Sequence, residues 1–347
     1  MAVSPRRATL ATVAASAGVS VATVSKVLNG RSDVAPATRS LVQSLLRQHD
    51  YVAPSPRRGE TPGRDTVEVQ FDKELNAYST EIVQGAVEGG ADLDVGVVIS
   101  IRRPADRPGA WARELVGAGR RALIAVTSEL TPGHLTALSR ARLPLVMIDP
   151  LNLPRARVTS IGSTNFAGGL AATQHLLSLG HRRIAYIGGH ATAACHQARM
   201  HGYRAAMEAE HAEVLPHYVQ TGHFQYHDGV VGGAALLDLP EPPTAIFAGN
   251  DATALGIIEA ARERGLRIPE DLSIVGFDDT QLAPMASPPL TTIRQPLREM
   301  GAVALRTALR LAAGEKIDSH HVELATSLVI RGSTAPVAAE ENARRAG

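Results

Sequence analysis

The sequence of 347 residues holds a single cysteine, Cys195, and only 3% aromatic residues. One thiol cannot close an intrachain disulfide or build a zinc–thiolate cluster, so a reducing cytosol is the simplest compartment. Lysine occurs only at 26, 73 and 316; the other basic residues are arginine. Long apolar runs are missing. Stretches such as 122–126 and 143–148 are short and bounded, far below the roughly 18 residues that a membrane-spanning helix needs. The opening run MAVSPRRATLATVAASAGVS carries two arginines with no continuous apolar core behind them, which argues against a secretory signal. No G-x-x-x-x-G-K-[ST] or H-E-x-x-H pattern occurs, which leaves no P-loop and no zincin helix. What is present is 44% apolar and 20% charged residues, a make-up that fills globular cores over about two or three folding units.

A net charge of +1 hides a division. Residues 1–66 carry nine Lys/Arg against four Asp/Glu, and the remainder carries 26 against 30. A small basic head on a mildly acidic body suggests that the head meets a polyanion; a solvated tail is the plainer alternative. The head reads as three short helices. Leu10, Val13, Ala14 and Ala17 recur at helical spacing until Gly18 stops the run. Ser20 is placed to cap a second helix from Val21. On it Val24, Val27 and Leu28 share one face, while Val21, Ala22, Ser25 and Lys26 share another roughly 140° away. A third helix is predicted over 37–49, with Leu41, Val42, Leu45 and Leu46 inward. The link of about three residues between the first two helices contains Gly, which is helix-turn-helix spacing.

The run TLATVAASAGVSVATVSKVLNGRSDVAPATRSLVQSLLRQHDYVAP (9–54) resembles the head of the LacI/GalR family of bacterial transcription regulators, and AGVSVATVSKVLNG (17–30) is close to that family's signature. The resemblance implies that Val21, Ala22 and Lys26 read bases. The first two offer apolar contacts, as to a thymine methyl, and Lys26 donates to guanine O6/N7. It also implies phosphate contacts from Thr9, Ser20, Thr23, Ser25, Asn29 and Thr38; Ser20 and Thr38 serve equally as helix caps. The expected limits are a helix-turn-helix domain at 1–53 and a linker or hinge at 54–66. In better-known members a short hinge helix follows the head and wedges an apolar side chain into the minor groove. Here PSPRRGETPGRD (54–65) is rich in Pro and Gly, and Glu60 falls near the wedge position. A stable helix is not expected. Arg57 and Arg58 then either enter a narrow minor groove or contact phosphates, or belong to a plain flexible linker.

From 67 onward the pattern is strand, helix, strand. Strands are predicted at 67–71, 95–100, 122–127, 143–149, 183–189, 244–250 and 272–279. Helices fall at 79–91, 110–118, 132–140, 165–179, 198–210, 228–238 and 251–265. That order gives an α/β class with parallel sheets covered on both faces, and ligands in such sheets lie beyond the carboxyl ends of the strands. The body also resembles the LacI family over about 67–335, through STNFAGGLAATQHLLSLGHRRIAYIGG (163–189), FAGNDATALGIIEAARERGLRIPEDLSIVGFDD (247–279), SPPLTTIRQPLREMG (287–301) and SLVIRGST (327–334). The fold so implied is a two-lobe, periplasmic-binding-protein-like body at 67–338. Its first lobe would take about 67–162 and 291–319, its second about 163–290 and 320–338, with a disordered tail at 339–347. TSEL, TNFAGG and CHQARMHGY are most similar to actinobacterial regulators of sugar operons, those for xylose or xylan among them.

Carried over by resemblance, Arg199 and Asp278 hold ligand hydroxyls and Asn250 supplies a donor and an acceptor. Asp149 and Thr127 line the first-lobe side with Tyr78 and Ser79, and Phe224 and Phe166 form the apolar wall of a sugar site. Turn capping by Asp278, helix capping by Asn250 and core packing by Phe224 are the structural alternatives. No second cation is placed beside Arg199, which favours a neutral sugar over a phosphosugar. The expected partners are operator DNA, a small-molecule effector and a second copy of the chain, with no membrane, metal or cofactor. An enzyme reading finds little. GAGRRA (117–122) follows a helix and precedes a strand, the reverse of a dinucleotide loop. Cys195 and His196 are adjacent without a third orienting group. A transport-type sugar-binding protein would fit the body but not the basic head. A purine, nucleoside, phosphosugar or protein corepressor remains open as effector.

Overall fold

The computed structural model describes residues 10–28, 34–48, 65–103, 107–151 and 158–337, and the chain divides into two compact units at 63/64. The first unit is a small three-helix cluster. α1 (Leu10–Ala17) ends where Gly18, at φ 65°, lets the Val19 N–H return to the Ala14 carbonyl at 3.1 Å, a left-handed stop that only glycine adopts without strain. The Ser20 hydroxyl then accepts the Thr23 N–H at 3.1 Å and opens α2 (Val21–Leu28). α3 (Pro36–Gln48) completes the cluster. Val13, Ala14, Val24, Val27, Val34 and Val42 form its core. Leu41, expected inward, is 47% exposed. The inward stripe of α3 runs through Val42, Leu45 and Leu46, and a residue one step before Val42 is turned about 100° off it.

The second unit contains two six-stranded sheets. The first is built from β1 (Thr66–Phe71), β2 (Gly96–Ile101), β3 (Arg120–Val126), β4 (Leu145–Ile148), β5 (Thr159–Ser163) and β11 (His321–Leu324), in the order β11-β5-β4-β3-β1-β2, parallel throughout. Val67, Val69 and Phe71 face α4 (Ala77–Asp92) and α12 (Leu297–Ala312), while Leu123, Ala125 and Met147 face α5 (Pro108–Gly117) and α6 (Pro132–Arg140). Alternate residues of one strand thus serve two cores. The second sheet has β6 (Ile184–Ile187), β7 (Val219–Gln220), β8 (Ala245–Ala248), β9 (Ser273–Asp278), β10 (Thr291–Arg294) and β12 (Ser327–Val329), in the order β12-β10-β9-β8-β6-β7. Only β12 runs antiparallel to its neighbour. α7 (Asn165–Ser178) and α8 (Ala194–Ala209) cover one face; α9 (Tyr226–Leu237), α10 (Asp251–Glu263) and the short α11 (Leu282–Met285) cover the other.

The chain passes between the lobes three times: between β5 and α7, between β10 and α12, and between β11 and β12. This corrects the lobe limits expected from the sequence. Residues 291–294 stay in the second lobe, because β10 pairs with β9 and buries Ile293 in that lobe's core. The return to the first lobe begins with α12 and includes β11, which pairs with β5. The apolar stripe of α12 is Leu297, Met300, Ala304, Leu305 and Ala308, spaced three and four apart to lie on a sheet face. Its approach to α4 is close. A Cβ on Gly85 would stand 1.9 Å from the Arg298 carbonyl oxygen, and one on Gly301 would stand 2.2 Å from that of Ile82.

Candidate functional site

The carboxyl ends of both sheets open on one cavity of about 590 Å3, where the fold class puts its ligands. Eight of the nine effector residues expected from the sequence line it: Tyr78, Ser79, Thr127, Asp149, Arg199, Phe224, Asn250 and Asp278. Their placement follows from the strands. Thr127 and Asp149 directly follow β3 and β4, Asp278 ends β9, and Asn250 caps α10 after β8. Thr127, Asp149, Phe224 and Asp278 all have positive φ, at 44°, 42°, 61° and 111°. Non-glycine residues held in that region carry backbone strain that the surrounding structure must sustain.

Phe166 is the exception; it is 47% exposed on α7 and does not line the cavity. Asn165 takes the inward position at the start of that helix, and one residue later the direction has swung about 100° outward. Several lining residues were missed by sequence reasoning: Phe71, the loop residues Lys73, Glu74, Leu75 and Asn76, then Leu151, Cys195, His223 and Gln225. Most directly follow a strand or flank a residue already singled out, so the strand-end rule applied to every strand would have reached them. Lys73 supplies a second cation to the wall of the same cavity as Arg199.

Arg199 and Asp278 are buried polar groups of the wall, 3% and 4% exposed. Arg199 Nε donates to Asn165 Oδ1 at 2.8 Å, Nη1 donates to the Gly249 carbonyl at 2.5 Å, and Nη1 lies 3.7 Å from Asp278 Oδ1. Its guanidinium stacks 3.7 Å from the Phe277 ring centre and 5.4 Å from that of Phe224, a dry, well-hydrogen-bonded setting for a charge. Burial pushes the Asp278 carboxyl up to about 8, against the opposing pull of Arg199. Across the cavity the Tyr78 hydroxyl donates to Asp149 Oδ2 at 2.6 Å. Burial raises the pKa of both groups.

Asn250 is both cap and wall. Its Oδ1 accepts the Thr253 N–H at 2.9 Å and its Nδ2 donates to the Phe224 carbonyl at 3.0 Å, which pins the aromatic loop. The loop after β1 is tied from outside. Asp72 accepts from Arg102 at 2.8 and 2.6 Å, from Ser128 Oγ at 3.1 Å and from the Glu129 N–H at 3.1 Å. Burial pushes the Cys195 thiol up to about 11, away from nucleophilic chemistry at neutral pH. His196 Nδ1 accepts the Gly189 N–H at 3.0 Å, so its ring is held by the backbone.

In the head, Val21 is 46% exposed, and Ala22 and Lys26 are exposed, on the face of α2 opposite Val24 and Val27. Ser20 is exposed, while Thr23, Ser25 and Thr38 are half-buried. Thr9, Asn29, Arg57 and Arg58 lie outside the described residues. Among the described residues no group of three or more acidic, His or Cys side chains could hold a metal ion, and no helix is long and apolar enough to cross a membrane.

The model of bacterial regulatory proteins of the lacI family matches residues 9–54, and that of a periplasmic binding protein-like domain matches residues 173–334. Catabolite control protein A of Priestia megaterium is 30% identical over 329 residues, covering 94% of this chain and 99% of that protein. The chain belongs to the LacI family. It is a DNA-binding transcription regulator with a periplasmic-binding-protein-like sensing body. Two solved structures match along nearly the whole of this LacI-family chain. A transcriptional regulator CelR–cellobiose complex has a TM-score of 0.71 and 32% identity, covering 94% of this chain and 100% of that one. The lac repressor dimer bound to operator and the anti-inducer ONPF has a TM-score of 0.69 and 27% identity, covering 95% and 100%.

Proposed function

We propose that this regulator represses a sugar-utilisation operon in the cytoplasm and leaves its operator when a small neutral sugar, xylose or a related sugar, fills the cavity. The observation that carries the reading is the buried Arg199–Asp278 pair open to a cavity that also contains Phe71, Tyr78 and Phe224. Convergent donors and acceptors beside aromatic faces suit the hydroxyls and the apolar face of a carbohydrate. Glu74, Asp149 and Asp278 share the wall with Arg199 and Lys73, and burial favours the protonated form of Asp149 and Asp278, whose carboxyl groups then both donate to and accept from sugar hydroxyls. The cellobiose bound to the similar regulator supports the same class. A phosphosugar is the second reading, and Lys73 is the residue that favours it.

The working unit is a homodimer that sets two α2 helices in successive major grooves of a near-palindromic operator. Ile99 and Ile101 on the edge strand β2, with Val87 on α4, leave apolar surface exposed, which supports self-association. Sugar binding closes the lobes and alters the spacing of the two heads, with a differential affinity of about 1–3 kcal/mol. A thermal-shift series on the full chain with neutral mono- and oligosaccharides, purines and sugar phosphates tests the effector. A ligand at 100 times its dissociation constant adds about 2.7 kcal/mol of stability. A shift from a sugar phosphate or purine alone overturns the neutral-sugar reading. Lys26→Ala is expected to relax base preference at one operator position at a cost of roughly 1–3 kcal/mol. An equal loss on all DNA sequences would make Lys26 a phosphate contact.

A further inference from the structure

We infer that Gln295 is a positioning residue that carries effector occupancy from the Arg199–Asp278 pair into the crossovers joining the two lobes. The inference rests on the effector reading of the cavity. Gln295 lies between β10 and α12, within the second crossover, and is buried. Its Nε2 donates to Asp278 Oδ1 at 2.6 Å, and its Oε1 accepts from the Ser163 hydroxyl. Ser163 is the last residue of β5, at the first crossover. The Ser163 carbonyl accepts from Asn165 Nδ2 at 3.1 Å, and Asn165 Oδ1 accepts from Arg199 Nε at 2.8 Å. Arg199 Nη1 stands 3.7 Å from Asp278 Oδ1, which closes a ring of five residues that passes through the Ser163 main chain. All five residues are buried.

The ring has one sense. Turning the Gln295 amide over would set its oxygen against Asp278 Oδ1 and remove the acceptor of the Ser163 hydroxyl. Turning Asn165 would set its NH2 against the Arg199 guanidinium. A polar ring with a single donor–acceptor assignment in a dry interior cannot shift one member without disturbing the rest. Two members, Arg199 and Asp278, line the cavity; the other three sit at crossovers. The third crossover joins the same assembly, since Thr164 and Thr326 are hydrogen-bonded at 2.9 Å and the Thr326 N–H donates to Thr164 Oγ1 at 3.0 Å. A ligand that draws on Asp278 or Arg199 therefore acts on all three strands of chain that bend when the lobes move.

Hydrogen exchange on the full-length chain, with D-xylose and cellobiose as probes, tests the inference. In the wild type a bound sugar slows exchange in peptides 158–170 and 320–330. In Gln295→Met the sugar still binds, within about threefold by calorimetry, but those peptides no longer respond. Ser163→Ala, a smaller change that does not touch the cavity, gives the same decoupling and keeps the test open if Gln295→Met fails to fold. A ligand-free arm separates this inference from the sugar reading: Asp278→Ala speeds exchange in both crossover peptides by roughly fivefold or more. Binding of neither sugar would overturn the neutral-sugar reading and leave that arm to decide. An effect of Asp278→Ala confined to 273–282, or a crossover response that survives in Gln295→Met and Ser163→Ala, would overturn the inference.

Discussion

The two walls of the cavity are built on different principles. In the second-lobe wall the central polar groups already have protein partners: Arg199 holds Asn165 and the Gly249 carbonyl, Asp278 holds Gln295, and Asn250 holds Thr253 and Phe224. A ligand meets groups whose positions are fixed beforehand, so little ordering cost is left to the binding step. In the first-lobe wall Tyr78 holds Asp149, and Asn76 and Ser79 bond each other locally as the cap of α4. Its loop of Lys73, Glu74, Leu75 and Asn76 depends on the Asp72–Arg102 ion pair behind it. The pre-set wall supplies strength common to many hydroxylated ligands. The loop wall, with its mixed charges, decides among them.

The largest expected effect comes from the pre-set wall. Asp278→Ala strips the buried Arg199 and Gln295 of a neighbouring partner, at a cost of about 1–3 kcal/mol in stability. Denaturant unfolding reads that loss. Operator affinity is retained while the ligand-induced thermal shift disappears. Equal loss of DNA binding would make Asp278 a structural residue and erase the contrast between the walls. Arg102→Ala sharpens the contrast from the other side. It frees the loop after β1, weakening the preferred ligand about tenfold while changing the order of preference among sugars. A uniform weakening with unchanged order would mean that the loop does not select.

The smallest effect is a pH slope. Asp278 is raised to about 8 and Asp251 to about 7, both through burial, so the folded chain binds protons there that the unfolded chain has released. Their stabilising contribution is complete only at low pH and is lost as pH rises through the folded values. Buried histidines such as His196, lowered to about 4 by burial, pull the other way below about pH 6.5, where the unfolded imidazole gains its proton. Above that pH only the carboxylates contribute. The melting temperature should therefore fall from about pH 6.5 to 8, and Asp278→Asn should flatten the fall. An unchanged slope in that variant would assign the effect to Asp251.

Much of this architecture was legible in the sequence because buried parallel strands are written as short apolar runs and their carboxyl ends as polar residues. β3, β4, β8 and β9 are such runs, and Asp149, Asn250 and Asp278 stand at or just beyond strand ends. The signals failed where the residues are small or polar. β5 reads TSIGS and β10 reads TTIR. Their hydroxyls are buried because partners from distant segments meet them, as when Thr292 Oγ1 donates to Asp251 at 2.6 Å. Such partnerships do not follow from local periodicity. The same gap hid Ser163 and Gln295, and with them the true paths of the crossovers. Phe166 failed for a simpler reason: the residue type suited a sugar wall, but its neighbour Asn165 held the inward phase.

The threefold passage of the chain also sets a timetable for synthesis on the ribosome. Each sheet waits for a late piece: the first for α12 and β11, the second for β10 and β12, all within residues 291–329. Until those residues emerge, both lobes lack an edge strand, and the first lacks the helix that covers Val67, Val69 and Phe71. Neither half can settle while the other is still being made, and a chain cut short before residue 321 leaves two unfinished sheets with open edges. The three helices of the head are complete by residue 48. The helices of the head therefore emerge before either sheet of the sensing body, and both sheets are complete only once residue 329 has followed.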